Sequence, residues 1–264
     1  MDLQLNAKRA LVTGSTAGIG FAIASALAAE GAHVTLNGRT QARVDDALAR
    51  LRAACPQATV SGIAADLSTA AGVAQLLTVC PEIDILVNNL GIFASVPFEA
   101  IDDSEWFRFF EVNVMSGVRL ARHYLPQMKT RDWGRIIFIS SESGVCPPAE
   151  MVHYGMTKSA QLSVSRGLAE TCVGTRVTVN AVLPGPTRTE GVGEYFENLA
   201  KQQQVSFADI EKQLFASARP TSILKRLIEP AEIASTVAYL CSPLSAATNG
   251  AAIHAEGGVV RSLL

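Results

Sequence analysis

Thr13-Gly14-Ser15-Thr16-Ala17-Gly18-Ile19-Gly20 joins a short apolar run, Arg9–Thr13, to a longer segment that opens at Gly18 and continues to about Glu30. A strand, a tight turn and a helix in that order begin a βαβ unit. Three glycines let the backbone turn sharply and come close to a pyrophosphate. The helix that follows offers free N–H groups and the positive end of its dipole. The spacing is Gly-x3-Gly-x-Gly, not the commoner Gly-x-Gly-x2-Gly. The reading therefore rests on where the turn stands, between strand and helix near the start of the chain. A glycine-rich turn with no ligand is the bland alternative.

The same alternation continues along the chain. Strands are expected at Arg9–Thr13, His33–Asn37, Val60–Ala64, Ile83–Asn88, Arg135–Ser140, Arg176–Leu183 and near Ala251–Ala255. Ile136-Ile137-Phe138-Ile139 is apolar at consecutive positions, as a strand covered on both faces must be. Helices are expected from Gly18, over Gln41–Ala54, from Asp102, over His153–Cys172 and from Pro230. Asp102 and Glu105 have the spacing of a capping box. The fold class expected is α/β, a doubly wound parallel sheet of the Rossmann type, as a single domain over 1–264. Residues Glu190 to Ile223 differ in character. They are polar, carry Gln202-Gln203-Gln204, and scatter Tyr195, Phe196, Phe207 and Phe215 through helix-like stretches. This segment, about 190–223, reads as a helical lid inserted over a site.

Composition narrows the function. Of 264 residues 48% are hydrophobic and 17% charged, enough apolar material for a large core. A net charge of -2 gives no general attraction to nucleic acid or to an anionic membrane, so neither is expected as a partner. No stretch approaches the roughly 20 apolar residues that span a bilayer, and Met1 to Asn6 does not read as a secretory signal. Cys55, Cys80, Cys146, Cys172 and Cys241 have no metal-ligand spacing, so no metal is expected. They read as reduced thiols of a cytoplasmic protein, with Cys146 near enough to the proposed site to line a pocket.

The second strand ends in Asn37-Gly38-Arg39-Thr40. A site for NAD places a carboxylate there to hold the ribose 2′-hydroxyl. None is present, and Arg39 is able to pair with a 2′-phosphate, so NADP is favoured and NAD remains possible. A solvated arginine at a helix start is the other reading. Further along, Tyr154 and Lys158 lie four residues apart on one face of an expected helix. A neighbouring ammonium and the charge of an oxidised nicotinamide favour the phenolate, which fits Tyr154 for acid–base work. Lys158 is also able to hold the nicotinamide ribose. Ser141 stands at the end of a strand, where its hydroxyl could donate to a substrate oxygen. Glu142 follows it. Facing the pocket, it would disfavour an anionic substrate; facing solvent, it would do nothing.

These residues together resemble the classical short-chain dehydrogenase/reductase family over essentially the whole chain. Thr13 to Gly20, including Gly14, Ser15, Thr16, Gly18, Ile19 and Gly20, matches its cofactor turn. Asn88-Asn89-Leu90-Gly91 is similar to its Asn-Asn-Ala-Gly motif, with Leu90 in place of alanine. Asn113 falls on its catalytic asparagine, and Ser141, Tyr154 and Lys158 match the other three catalytic positions. The resemblance implies that Asn113 anchors a water in a proton relay through Lys158. It implies that Asp66, beside Leu67, touches the adenine, and that Asn89 and Gly91 line the cofactor. In Pro184-Gly185-Pro186-Thr187-Arg188-Thr189 it implies that Thr187 and Thr189 hold the nicotinamide carboxamide and the phosphates. The expected activity is hydride transfer between NADP(H) and a small-molecule carbonyl or secondary alcohol, in a chain similar to 3-oxoacyl carrier-protein reductases. Specificity would come from Phe93–Val96, Glu142–Met151 and the lid. A catalytically silent NADP-binding sensor or scaffold is the alternative, but a sensor needs the glycine turn and not the proton donor. The resemblance also implies a homotetramer, or a homodimer. Asp102–Met128 and His153–Cys172 would pack on their copies, and Gly257 to Leu264 would join a second interface.

Overall fold

Ile136-Ile137-Phe138-Ile139 sends successive side chains to opposite faces of a sheet, and both faces are covered. Ile136 and Phe138 enter one apolar cluster, Ile137 and Ile139 the other. The computed structural model describes residues 1–263; Leu264, the last residue of the expected second interface, lies outside the described residues. Among the described residues the strands are β1 (Arg9–Val12), β2 (His33–Gly38), β3 (Val60–Ala64), β4 (Ile85–Asn88), β5 (Gly134–Ile139), β6 (Val177–Pro184) and β7 (Ala252–Ala255). All pair in parallel, in the order β3-β2-β1-β4-β5-β6-β7. The order reverses direction between β1 and β4. In an open α/β sheet that switch point leaves a crevice beyond the carboxyl ends of the two strands.

Helices cover both faces. On one lie α1 (Gly18–Ala29), α2 (Gln41–Ala54) and α9 (Pro230–Cys241), which bury Ile23, Val44 and Ile233 against the sheet. On the other lie α3 (Ala70–Val79), α5 (Ser116–Thr130) and α6 (Val152–Glu170), which contribute Leu76, Leu120 and Ala169. Helix α4 (Asp103–Phe110) leads into α5 through a π turn, Glu111–Met115. The long helix expected from Asp102 is thus one run with a change of register. At the π turn the Ser116 N–H reaches back five residues to the Glu111 carbonyl, and Asn113 is buried there. Such turns inside helices concentrate at functional positions. Asp102 caps α4 by accepting from the Glu105 N–H, but Glu105 turns to Arg108, so only half of the expected capping box forms.

The insertion is helical, as expected. It contains α7 (Glu190–Gln203), α8 (Phe207–Gln213) and a π turn, Leu214–Ala218. Phe196, Ala200, Ile210, Phe215 and Leu227 form a small core of their own. The chain then returns to the sheet edge through a bridge between Thr187 and Ile228.

Candidate active site

The glycine turn lies at the switch point, braced from both neighbouring strands. Asn37 at the end of β2 accepts from the Gly14 N–H, and its own N–H donates to the Ser15 hydroxyl. From the loop after β4, Asn89 donates through Nδ2 to the Thr13 and Gly14 carbonyls at 2.9 and 3.0 Å. Gly14 and Gly18 have φ of +59° and +57°, where a side chain is strained. At Gly20 a Cβ would stand 2.4 Å from Asn89 Nδ2, so the helix can approach this closely only with glycine there. Ser15 is fully buried, with its hydroxyl donated to the Val12 carbonyl. Ile19 lies in the first turn of α1. Leu90 does not disturb the loop: its N–H still reaches the Thr13 hydroxyl, and its side chain packs on the core.

Around the rim, Arg39 is exposed just beyond β2. A second cation, Arg50 of α2, reaches the Thr16 carbonyl and lies over the Phe21 ring. Asp66 is exposed after β3, where its carboxylate accepts from Ser68, and Leu67 behind it is buried. Across the crevice, Pro184 ends β6, and a Cβ on Gly185 would come 2.6 Å from the Glu256 carbonyl. Thr187 is buried, its hydroxyl on the Gly185 carbonyl. The Thr189 hydroxyl caps α7 by accepting from the Val192 N–H. Glu190, next along, accepts from the Gly18 N–H at 2.8 Å, so the insertion begins in direct contact with the glycine turn.

Ser141, Tyr154, Lys158 and Asn113 converge beside this crevice. Ser141 follows β5, is buried, and donates to Glu142 Oε2 while accepting from the Ser143 N–H. Tyr154 and Lys158 share a face of α6, with the ammonium 5.5 Å from the ring centroid. Lys158 Nζ donates to the Ile139 carbonyl at 2.9 Å and to Gln161 Oε1 at 3.1 Å. A Cβ on Gly91 would be 3.5 Å from both Lys158 Nζ and Asn113 Oδ1. The Asn113 side chain is fully engaged: Oδ1 accepts from the Ile92 N–H, and Nδ2 donates to the Ile92 carbonyl and to Thr157.

Burial dominates the electrostatics. It pushes the Tyr154 phenol above its usual range; the hydrogen bond with Ser141 opposes that, Glu142 adds to it and Arg219 opposes it. It pushes the Lys158 ammonium down to about 7, against the pull of Glu142. Glu142 is 4% exposed, so it does not face solvent. It pairs with Arg219 of the insertion at 3.0 Å. The Val96 N–H donates to the Glu150 carbonyl, and Phe93 meets the Tyr154 ring edge-on at 6.4 Å. The three segments expected to set specificity thus meet beside Ser141 and Tyr154. Arg219, Arg50 and Gln161 escaped the sequence reading, since each acts through a contact that no local spacing displays.

His153, just before Tyr154, is fully buried, 4.0 Å from the Phe109 ring and near Trp106, and among the described residues neither ring nitrogen has a hydrogen-bond partner. Burial lowers its pKa, with Arg108 adding to that and Glu105 opposing it. The unfolded chain therefore binds this proton more readily than the folded one. The resulting stability is present above the ordinary histidine value of 6.5 and is lost as pH falls from there through the lowered value. His153→Phe is expected to flatten the fall of Tm below pH 6.5 relative to wild type. Parallel melting curves in the two proteins would count against a neutral buried imidazole.

The short chain dehydrogenase family profile matches residues 8–200. An "uncharacterized oxidoreductase YvaG" of Bacillus subtilis is 52% identical over the whole of both chains. The 3-oxoacyl-[acyl-carrier-protein] reductase of Aquifex aeolicus is 30% identical over 98% of this chain and all of its own. Among solved structures, L-sorbose reductase from Gluconobacter frateurii, complexed with NADPH and L-sorbose, superposes over all of both chains with a TM-score of 0.94 at 31% identity. With a doubly wound sheet, a glycine turn at its switch point and these relatives along its full length, the chain belongs to the short-chain dehydrogenase family and is an oxidoreductase.

Proposed function

We propose that this protein is an NADP(H)-dependent carbonyl reductase, reversible as a secondary-alcohol dehydrogenase. The observation that carries the reading is the convergence of Ser141, Tyr154 and Lys158 at the rim of the glycine-turn crevice. The crevice residues fit a dinucleotide, because the left-handed Gly14 and Gly18 and the close approach at Gly20 form a tight turn that brings the N-terminus of α1 to the crevice. Gly14, Ser15, Thr16, Gly18, Ile19 and Gly20 cradle the pyrophosphate at the N-terminus of α1. Asp66 and Leu67 flank the adenine, and Asn89 and Gly91 lie along the ribose side. Pro184, Gly185, Thr187 and Thr189 hold the nicotinamide end. Arg39, with no carboxylate at the end of β2, faces the 2′-phosphate; NAD is the poorer cofactor.

When bound, the reduced nicotinamide supplies hydride to the carbonyl carbon. Tyr154 donates a proton to the carbonyl oxygen, and the Ser141 hydroxyl turns from Glu142 to donate to the same oxygen. Lys158 holds positive charge beside the phenol and grips the ribose. Asn113 fixes the loop at Ile92 and so the shape of the pocket. Glu142, buried next to Ser141, disfavours a substrate anion there. A neutral ketone bearing hydroxyl groups fits best, as L-sorbose does in the related reductase. The insertion over 190–223 acts as the lid, tied to the turn by Glu190 and to the pocket by Arg219.

The cytoplasm is the location that suits five unpaired cysteines. Two exposed aromatic side chains of α4, Phe107 at 71% and Phe110 at 37%, support a homotetramer or a homodimer. Apolar surface of this kind marks an interface. Light scattering is expected to give a tetramer or dimer mass for the wild type and a smaller one for Phe107→Glu. A monomeric wild type would remove the assembly.

The test of the activity is cofactor consumption with NADPH and NADH against ketones, diketones, keto-esters, ketoses and quinones, with Tyr154→Phe beside the wild type. Turnover that favours NADPH and needs Tyr154 supports the reductase. NADPH binding with no Tyr154-dependent turnover would replace it with the silent sensor.

A further inference from the structure

Gln161 lies one helical turn beyond Lys158 on α6 and is 1% exposed. Its amide makes two hydrogen bonds, one at each end. Oε1 accepts from Lys158 Nζ at 3.1 Å. Nε2 donates to the main-chain carbonyl of Asn113 at 2.6 Å. The orientation of the amide is fixed by chemistry. Reversed, it would set an NH2 against an ammonium and an oxygen against a carbonyl oxygen. Asn113 cannot move to make other contacts, since its side chain is held by Ile92 and Thr157 and its backbone by the π turn. The direct link between Asn113 and Lys158 is thus a side chain of the helix that carries both Tyr154 and Lys158.

We infer that Gln161 is a positioning residue of the reaction centre, whose amide couples Lys158 to Asn113 and keeps the lysine charged beside Tyr154. This rests on the hydride-transfer reading for its consequence, but not for the contact itself. A buried ammonium is stable only where acceptors replace water. Lys158 has two here, the Ile139 carbonyl and Gln161. Removal of Gln161 Oε1 favours the neutral amine, and a neutral amine no longer helps Tyr154 to shed its proton. In this chain an amide that accepts from the lysine and donates to the Asn113 carbonyl links the two directly. It orients Lys158 without itself carrying the proton.

The other ionisable groups around Lys158 are few. Tyr154 stands one turn before it, Glu142 faces it from the turn after β5, and Arg219 of the insertion pairs with Glu142. From α4, Glu105 and Arg108 act on His153. Burial already brings Lys158 down to about 7, so a modest further loss of support falls within a measurable pH range.

The experiment is a lysine Cε-labelled NMR titration of the full chain, with Lys158→Met used to identify the signal. It runs beside the pH profile of alcohol oxidation with NADP+. Gln161→Met removes both hydrogen bonds at similar volume. It is expected to lower the Lys158 midpoint by about one unit, the size of a lost hydrogen bond to an ammonium, and to move the profile to higher pH. Gln161→Glu keeps an acceptor on Lys158 and adds charge, so it should raise the midpoint. Ser165→Ala, another buried polar position on α6 whose hydroxyl has no partner among the described residues, should leave both readouts unchanged. An unchanged Lys158 midpoint in Gln161→Met, with superimposable profiles and only a lower Tm, would overturn the inference and leave Gln161 a packing residue. A wild type without turnover would end the reductase reading, while the NMR midpoint would still decide the role of Gln161.

Discussion

Tyr154→Phe is expected to cut turnover by about 10³-fold, the usual range for loss of a general acid, while leaving NADPH affinity within about twofold. The substitution removes one oxygen. The ring remains, with its edge-on contact to Phe93 and its place in the first turns of α6. Ser141 keeps its bonds to Glu142 and the Ser143 N–H, so the oxygen-binding side of the pocket is not dismantled. Lys158 keeps the Ile139 carbonyl and Gln161. What is lost is the hydrogen bond with Ser141 and the acid that gives its proton to the reacting oxygen, and a drop of this size corresponds to about 4 kcal/mol of transition-state stabilisation. Single-turnover oxidation of bound NADPH is the decisive measurement, because it is blind to product release. If the variant reacts at the wild-type rate, the proton comes from elsewhere. If it melts well below wild type, the loss is structural and not chemical. The expected result is a rate loss with an unchanged Tm.

The residues that make this prediction possible were legible for different reasons. The glycine turn was readable because its three glycines are demanded by geometry: two left-handed residues and one close approach to Asn89. The run at 136–139 was readable because a doubly covered strand leaves no polar face. Tyr154 and Lys158 were readable through helical spacing together with the resemblance. Other features had no local signature. Helix α3 carries no such signal because Ala70–Val79 is short and small-residue-rich, and Gly72 there is set by the Asp66 backbone, which a Cβ would strike. The π turn at Glu111–Met115 leaves no mark on the periodicity of the helix around it. Arg219 reaches Glu142 across 77 positions of sequence, and Gln161 reaches Asn113 across 48. Such contacts are decided by tertiary packing, which a sequence window cannot contain.

Arg39→Asp is expected to raise the KM for NADPH by about 100-fold and to lower that for NADH, inverting the cofactor preference. Hydrogen bonds to charged groups are worth roughly ten- to a hundredfold in binding, and the new carboxylate adds repulsion of the 2′-phosphate. The same carboxylate can accept from a ribose 2′-hydroxyl, which is how NAD sites hold that group. The position suits the exchange. Arg39 is exposed immediately after β2, and Gly38 before it cannot block the ribose with a side chain. Because the site is open to solvent, part of the effect is screened, so wild-type KM for NADPH should rise with ionic strength while that for NADH stays level. Arg50 sets the limit of the inversion. Its guanidinium is committed to Asp46 and the Thr16 carbonyl and lies over Phe21, so it remains beside the turn when Arg39 is gone. Arg50→Ala alone should therefore cost much less than Arg39→Asp, and the pair together should cost more than the sum if both cations face one phosphate. Equal NADPH-to-NADH ratios before and after Arg39→Asp would place the 2′-phosphate away from the end of β2, where the missing carboxylate would then not select NADP.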